Sequence, residues 1–511
     1  MNNWIIAPVV LPALLAPLIG FVMRHDIVLS RAASIAGTLA LAVIAVGLTV
    51  LAAQGGTHVY RLGDWPAPFG IVLVLDRLSA MLLLLTAVLA LIVVIHAAAT
   101  GWDTRGRHFH ALFQFQLMGI CGAFLTGDAF NLFVFFEVLL IASYGLMIHG
   151  GGRIRLQAGL QYVEMNLAGS TLFLFALGTL YATTGTLNIA DLAIKVREIP
   201  LEDAALVRVA AMLLMIVFAI KAALFPVQFW LPGTYSTAPA PVAALFAIMT
   251  KVGAYAILRI HTIVFGPDVA ATGGLPGNWL FPAAVVTLAI GAFGVLGARR
   301  LMPMLTFAVL GSMGTLMLAV SAFTPQATTA ALYYLIHSTL ATAALFLLAD
   351  LILTRRKPGD LLEPLPATVQ NGLFAGLFFA SAVAIVGMPP LSGFLGKLLV
   401  LDALRTAPHM ALAWTVILAG SLVMIVGFAR AGSMLFWKST ALPPAPPPDD
   451  GTPPPQAARA LEVAPVMAAL AGLAVLTALA GPVARYLEAT SNQLYYRDGY
   501  VSAVLGEQLE D

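Results

Sequence analysis

Lys221-Ala-Ala-Leu-Phe225-Pro226, running on through Trp230-Leu-Pro232 to Ala238-Pro239-Ala-Pro241, sets an ammonium group and four prolines inside an apolar run. A second stretch, Gly387-Met-Pro389-Pro390-Leu-Ser-Gly393-Phe-Leu-Gly396-Lys397, repeats the combination of a lysine with helix-breaking residues. Proline removes a backbone donor and breaks a helix. Inside a bilayer, broken backbone survives only where protein or water satisfies it. Interrupted helices in corresponding positions of two halves are the strongest sequence pointer to a transport site. Two unrelated proline kinks are the weaker reading, because both breaks carry a lysine.

The bilayer itself follows from composition. Of 511 residues 60% are hydrophobic and only 10% charged, against about 25% charged in an ordinary soluble chain. This excludes a soluble globular protein, a disordered chain and a nucleic-acid binder. A net charge of +2 is too small to argue for a polyanionic partner. The single cysteine, Cys121, excludes a disulfide scaffold, a zinc ribbon and a cysteine-held iron–sulfur cluster.

A spanning helix needs about 20 apolar residues. Fourteen candidate spans satisfy this, at 5–23, 32–53, 77–99, 109–127, 129–148, 158–183, 205–228, 239–262, 279–297, 302–323, 327–352, 368–404, 410–435 and 462–486. Met1 to Met23 has no Lys or Arg in its first residues and no clear cleavage site, so it reads as the first helix and not as a signal peptide. The two lysine-bearing breaks fall in the seventh and twelfth spans, five apart. Five is odd, so the two helices run in opposite directions. The expected fold is therefore an all-α polytopic membrane protein with two inverted five-helix repeats, helices 4–8 (109–262) and 9–13 (279–435). Around them stand an N-terminal unit of three helices (1–108), a Pro-rich linker (436–461, centred on Ser439–Ala457) and the last helix with its tail (462–511).

Basic residues test the orientation. The odd-to-even loops hold 14 Lys and Arg and the opposite side 9, Arg259 among the latter. The positive-inside rule then places both termini outside and the linker in the cytoplasm. Gly63–Ile71 reads as an outer hairpin or loop. Asn188–Val196 reads as a short amphipathic helix lying at the outer surface.

Ionisable groups at bilayer depth are costly and mark ion pathways by default. Of six lysines, Lys221, Lys251 and Lys397 lie inside spans, as does Glu137. Lys221 has more than a dozen span residues on its N-terminal side and Lys251 about a dozen, so neither snorkels easily. Glu137 sits behind Phe133, Phe135 and Phe136. A Glu137–Lys221 couple within direct or one-water reach can pass a proton as its surroundings shift; the alternative is a static buried salt bridge. His337, amid Ser338, Thr339 and Thr342, either relays protons or hydrogen-bonds a neighbouring helix. Gln157, Gln161, Glu164 and Thr171 share one face of the sixth span. That stripe either lines a half-channel from the cytoplasm, with Gln161 and Glu164 as its entry, or packs polar-to-polar between helices. Lys397 follows the Pro389-Pro390 break into the outward half, where Asp402 and Arg405 continue a route to water. No Walker-type loop, no H-E-x-x-H helix and no metal-ligand spacing of histidines occurs, so neither cofactor nor metal nor enzymatic chemistry is expected.

Several of these stretches carry a family resemblance. Phe225-Pro-Val-Gln-Phe-Trp-Leu-Pro232, Ala238-Pro-Ala-Pro-Val242 and Met249-Thr-Lys251-Val-Gly-Ala-Tyr-Ala-Ile-Leu-Arg259 resemble the signature of the antiporter-like subunits of respiratory complex I. Gly127-Asp-Ala-Phe-Asn-Leu-Phe-Val-Phe-Phe-Glu-Val-Leu-Leu-Ile-Ala-Ser-Tyr144 and Gly185-Thr-Leu-Asn-Ile-Ala-Asp191 resemble the D subunits of Mrp-type multisubunit sodium/proton antiporters. The resemblance covers about residues 1–435. It implies a fourteen-helix fold, partner subunits, a bacterial inner-membrane location and electrically coupled exchange of cytoplasmic sodium for external protons. It also implies that Glu137, Lys221, Lys251, His337 and Lys397 form a central polar axis. In the nearest complex I subunits the position of Lys397 is often a glutamate, so lysine favours the Mrp type. The competing expectation is a proton-pumping module of a complex I-type or membrane-bound hydrogenase enzyme. Glu164 matches no family feature.

Overall fold

The computed structural model describes residues 2–356, 359–443 and 456–506. Most of the Pro-rich linker lies outside the described residues. Helices α1 (Ala7–Pro17), α2 (Ile27–Ala53), α3 (Arg77–Thr100), α4 (Phe109–Leu125), α5 (Ala129–Met147) and α6 (Arg153–Thr184) open the chain. They are followed by α7 (Ile189–Glu198), α8 (Ala205–Ala222), α9 (Trp230–Thr237), α10 (Ala240–Leu245) and α11 (Met249–Ile263). Next come α12 (Leu275–Gly297), α13 (Leu301–Val320), α14 (Pro325–Arg355), α15 (Asn371–Val386), α16 (Ser392–Ala403) and α17 (Met410–Gly432). The last three are α18 (Ala460–Ala478), α19 (Ala480–Tyr495) and α20 (Arg497–Leu505). Among the described residues twelve helices are long and apolar enough to cross a membrane, with α4 and α15 as shorter apolar helices. Together they fill all fourteen expected spans.

Four span starts are closed by short polar residues that accept orphan backbone N–H groups. Asp26 accepts from Val28 and Leu29, Asp76 from Ser79, Asp128 from Asn131 and Thr324 from Ala327.

Both expected breaks are present. The seventh span stops where Ala223 turns left-handed (φ 54°), and it resumes as α9. Its freed groups find partners: Phe225 N–H donates to Thr287 Oγ1 of α12 at 2.8 Å, and Trp230 Nε1 donates to the Ile220 carbonyl at 3.0 Å. The twelfth span stops at Gly387 (φ 82°) and resumes as α16. There the Val386 carbonyl accepts from Lys397 itself, at 2.6 Å. The eighth span, expected to be continuous, is also interrupted. Between α10 and α11, Ala247, Ile248 and Met249 bond three residues back, a tighter winding. Tyr235 Oη takes up the Phe246 carbonyl there at 2.8 Å. No proline or glycine announces this turn.

One face of the bundle carries both ends of the described chain, near residues 2 and 506. It is covered by an antiparallel hairpin, β1 (His58–Arg61) with β2 (Val72–Leu75), and by α7, α19 and α20. Gly63–Ile71 lies in the hairpin's loop. Helix α7 forms where expected but does not lie open on the surface: Ile189, Ala190, Leu192, Ala193 and Val196 are buried, with α20 packed on it. The last apolar helix ends earlier than expected, at Ala478. Pro482 cannot hydrogen-bond to residue 478, so the chain bends at Leu479 into amphipathic α19, which packs on α14. Arg259, counted above with the outer loop charges, is instead fully buried in α11. It is clamped to Asp76, with further bonds to Ser79 Oγ at 3.1 Å and Tyr255 Oη at 3.2 Å.

Candidate ion-translocation axis

The bundle centre is assembled from its breaks. Lys221 occupies the last turn of α8, just before the chain opens. Its Nζ donates to Asn166 Oδ1 of α6 at 2.9 Å, and Asn166 Nδ2 donates to the Tyr162 carbonyl at 2.7 Å. The Phe136 ring centroid is 5.9 Å from the ammonium. Glu137 of α5, half-buried, accepts a hydrogen bond from Ser170 Oγ, also of α6. Glu137 and Lys221 lie within electrostatic reach, and of the direct or one-water pairing that the sequence suggested, the direct ion pair is not formed. Each is held by a neutral α6 group, and Asn166 and Ser170 stand one turn apart on that helix.

Lys251 is completely enclosed in α11. Among the described residues its Nζ has one hydrogen-bond partner, Thr250 Oγ1, at a long 3.5 Å. Gly253 lets α11 approach the end of α8: a Cβ there would stand 2.6 Å from the Ala222 nitrogen. A cavity of about 10 Å³, bounded by Lys221, Asn166, Trp230, Met249 and Val252, lies between α8 and α11. That is close to the smallest space that takes one water.

His337 of α14 is likewise enclosed. Its Nδ1 bonds Ser392 Oγ at 2.9 Å and its Nε2 has no partner among the described residues. It lies within electrostatic reach of both Lys251 and Lys397. Gly393 is required here, since a Cβ would meet the Ala384 carbonyl at 2.2 Å and His337 Nε2 at 2.8 Å. Thr342 Oγ1 is buried and unpartnered among the described residues. Lys397 is buried and binds the Val386 carbonyl and, at 2.7 Å, Ser421 Oγ of α17.

All three buried lysines are thus partnered by neutral oxygens. Toward the terminal face, Asp402 and Arg405 are exposed, and Asp402 accepts from Gln326 at 3.4 Å. Beside them a cavity of about 860 Å³ opens between Phe281, Gln326, Leu404 and His409.

The Gln157, Gln161, Glu164, Thr171 stripe behaves differently. All four side chains are exposed on the flank of α6, and among the described residues they line no interior passage. The buried face of the same helix carries Tyr162, Asn166, Ser170 and Phe173. Sequence reasoning followed the more polar stripe and missed Asn166 and Ser170, although their four-residue spacing and their level with Glu137 were available as a signal. It also missed a buried node between α3 and α14: Asp350 accepts from Trp102 Nε1 at 2.7 Å and bonds His96 Nε2 at 2.9 Å. No group of three or more His, Cys, Asp or Glu capable of holding a metal occurs among the described residues.

The family model described as NADH:quinone oxidoreductase/Mrp antiporter, TM, matches residues 126–424, which contain every member of the axis. The chain belongs to this family. The D subunit of a probable K(+)/H(+) antiporter of Rhizobium meliloti (strain 1021) is 39% identical, over 97% of this chain and 96% of that protein. The D subunit of the Na(+)/H(+) antiporter of Bacillus subtilis (strain 168) is 37% identical, over 87% and 89%. Among solved structures, a chain of the Mrp complex from Dietzia sp. DQ12-45-1b superposes with a TM-score of 0.88 at 28% identity, covering 99% of this chain and 100% of that one. A chain of Thermus thermophilus respiratory complex I, at 24% identity and a TM-score of 0.78, shares the fold. Like other members of this Mrp and complex I family, the chain is a transport subunit built to work within an assembly of membrane subunits.

Proposed function

We propose that this chain is the ion-translocating subunit of a multisubunit secondary Na+/H+ antiporter, relaying protons along Glu137, Lys221, Lys251, His337 and Lys397. The observation that carries the reading is the partnering of its three buried lysines. An ion pair that only fixed packing would set each ammonium against a carboxylate. Here Asn166, Thr250, Ser421 and the Val386 carbonyl are neutral acceptors. Such acceptors hold a lysine in either protonation state, which a proton carrier requires. The route leaves past Lys397 toward Asp402, Arg405 and the open cavity beside them. On this reading the chain is not an enzyme and holds no cofactor.

The excess of basic residues in the odd-to-even loops supports that face in the cytoplasm and both termini outside, and the bacterial relatives support an inner-membrane location. Breaks in the seventh and twelfth spans support helices 4–8 and 9–13 as inverted repeats. A second cation reading has its own support: the 39% identical Rhizobium meliloti relative is named for potassium. Purified whole complex in vesicles, with sodium and potassium gradients applied in turn, separates the two. Lys221→Met and Lys251→Met should each stop cation-dependent proton movement. Wild-type rates in both variants would sink the axis.

A further inference from the structure

We propose that the face of α6 formed by Gln157, Gln161, Glu164, Ala168, Thr171 and Phe175 is a docking seam for a transmembrane helix of another subunit, one carrying a lysine or arginine level with Glu164. These positions recur at alternating spacings of four and three, the pattern of a left-handed helix-packing seam. All six are exposed in this chain.

Depth makes the exposure meaningful. Glu164 lies two residues from Asn166, which binds Lys221, so it stands only about 3 Å along the helix from the buried axis. A carboxylate facing lipid hydrocarbon at that level is strongly disfavoured. Among the described residues neither Glu164 nor Gln157 nor Gln161 has a hydrogen-bond or ion-pair partner. The whole helix shows the same mismatch. It is the least apolar of the twelve long spans, yet only 39% of its window is buried. The three next least apolar, Ala240–Ile263, Leu301–Val320 and Pro325–Arg355, are 100, 89 and 94% buried. Polar spans elsewhere in this protein are covered by protein, and α6 awaits its cover.

The seam also selects its occupant. Amides and a carboxylate offer interhelical hydrogen bonds, and Ala168 and Thr171 let a backbone approach. A second copy packed about a two-fold axis would set Glu164 against Glu164, so the match is a different chain with a cationic side chain. The inference rests on the chain working inside an assembly and not on the proton route.

A photoreactive amino acid at Gln161 or Thr171, in purified whole complex, tests it. Both should crosslink to one helix of one other subunit, with a lysine or arginine placed opposite Glu164. Glu164→Leu should lower recovery of intact complex at least ten-fold, and Glu164→Gln should lower it less. Crosslinks to lipid alone or to a second copy of this chain would overturn the seam. So would a Glu164→Leu complex that assembles and crosslinks as wild type. If Glu164→Leu fails to insert, the crosslinks from Gln161 in the otherwise unaltered chain decide. Flux plays no part in this readout, so its failure is distinct from failure of the axis.

Discussion

Asn166 stands where the sequence suggested a carboxylate: its Oδ1 takes the Lys221 ammonium at 2.9 Å, while Ser170, one turn along the same helix, donates to Glu137. The two ionisable groups are therefore coupled through a helix that belongs to neither. A neutral amide can serve a charged or an uncharged lysine, whereas a touching carboxylate would hold it charged.

Asn166→Leu should slow cation-driven proton movement about ten-fold or more. A hydrogen bond to a charged group is worth about 1.5–3 kcal/mol. Asn166→Asp should also slow it, by fixing Lys221 in an ion pair, while the complex still assembles. A pH-gradient dye in vesicles reads both, and unchanged flux in Asn166→Leu removes this contact from the mechanism.

Glu137→Ala should abolish exchange and leave assembly intact, because among the described residues the half-buried carboxylate has one hydrogen-bond partner, Ser170, and no ion pair. Ser170→Ala, which removes the donor and keeps the carboxylate, should be milder. Blotting the complex and measuring flux in the same vesicles checks the order of severity.

At the second break, Lys397→Met should stop flux per assembled complex, and Lys397→Glu should retain part of it. If Lys397 only braces the Val386 carbonyl, Lys397→Met would instead lower assembly and leave turnover per complex normal. Gly387→Ala offers an independent probe. Its Cβ would stand 2.8 Å from Lys397 Cδ on a backbone with φ 82°, so it should displace the lysine and mimic its loss.

The clamp of Arg259 on Asp76 should matter for stability alone. Arg259→Met strands a buried carboxylate, a loss of about 3–5 kcal/mol. Adding Asp76→Leu should recover much of it. Thermal unfolding in detergent of the single and double variants tests the pattern, and equal losses would contradict it.

Acid should loosen the turn between α3 and α4. Asp103 is buried there, which alone would raise its pKa, but hydrogen bonds from Arg31 at 2.5 Å and His110 at 3.1 Å hold it at about 2. A carboxyl shifted down from an ordinary value of about 3.9 adds stability that is complete above that value and is lost as pH falls through about 2. Asp103→Asn should therefore cost stability at pH 7 and flatten the response between about pH 4 and 2. An unaltered acid profile in Asp103→Asn would show that other groups govern it.

The number of spans, the two breaks and the lysines at them were legible in the sequence, because apolar run length and proline chemistry act locally. Hydropathy states how deep a residue lies. It does not state which way a helix is rotated about its axis. Rotation is decided by packing, and that is why Gln161 and Glu164 point away from the interior while Asn166 and Ser170 of the same helix hold Lys221 and Glu137. For the same reason Arg259 could be read as a loop charge until Asp76, 183 residues away in the chain, closed on it. The tight turn ahead of Lys251 has no proline or glycine to mark it and is held by Tyr235 reaching the Phe246 carbonyl from another helix. Local chemistry wrote the elements and their titratable groups; contacts between distant segments chose the partners of those groups.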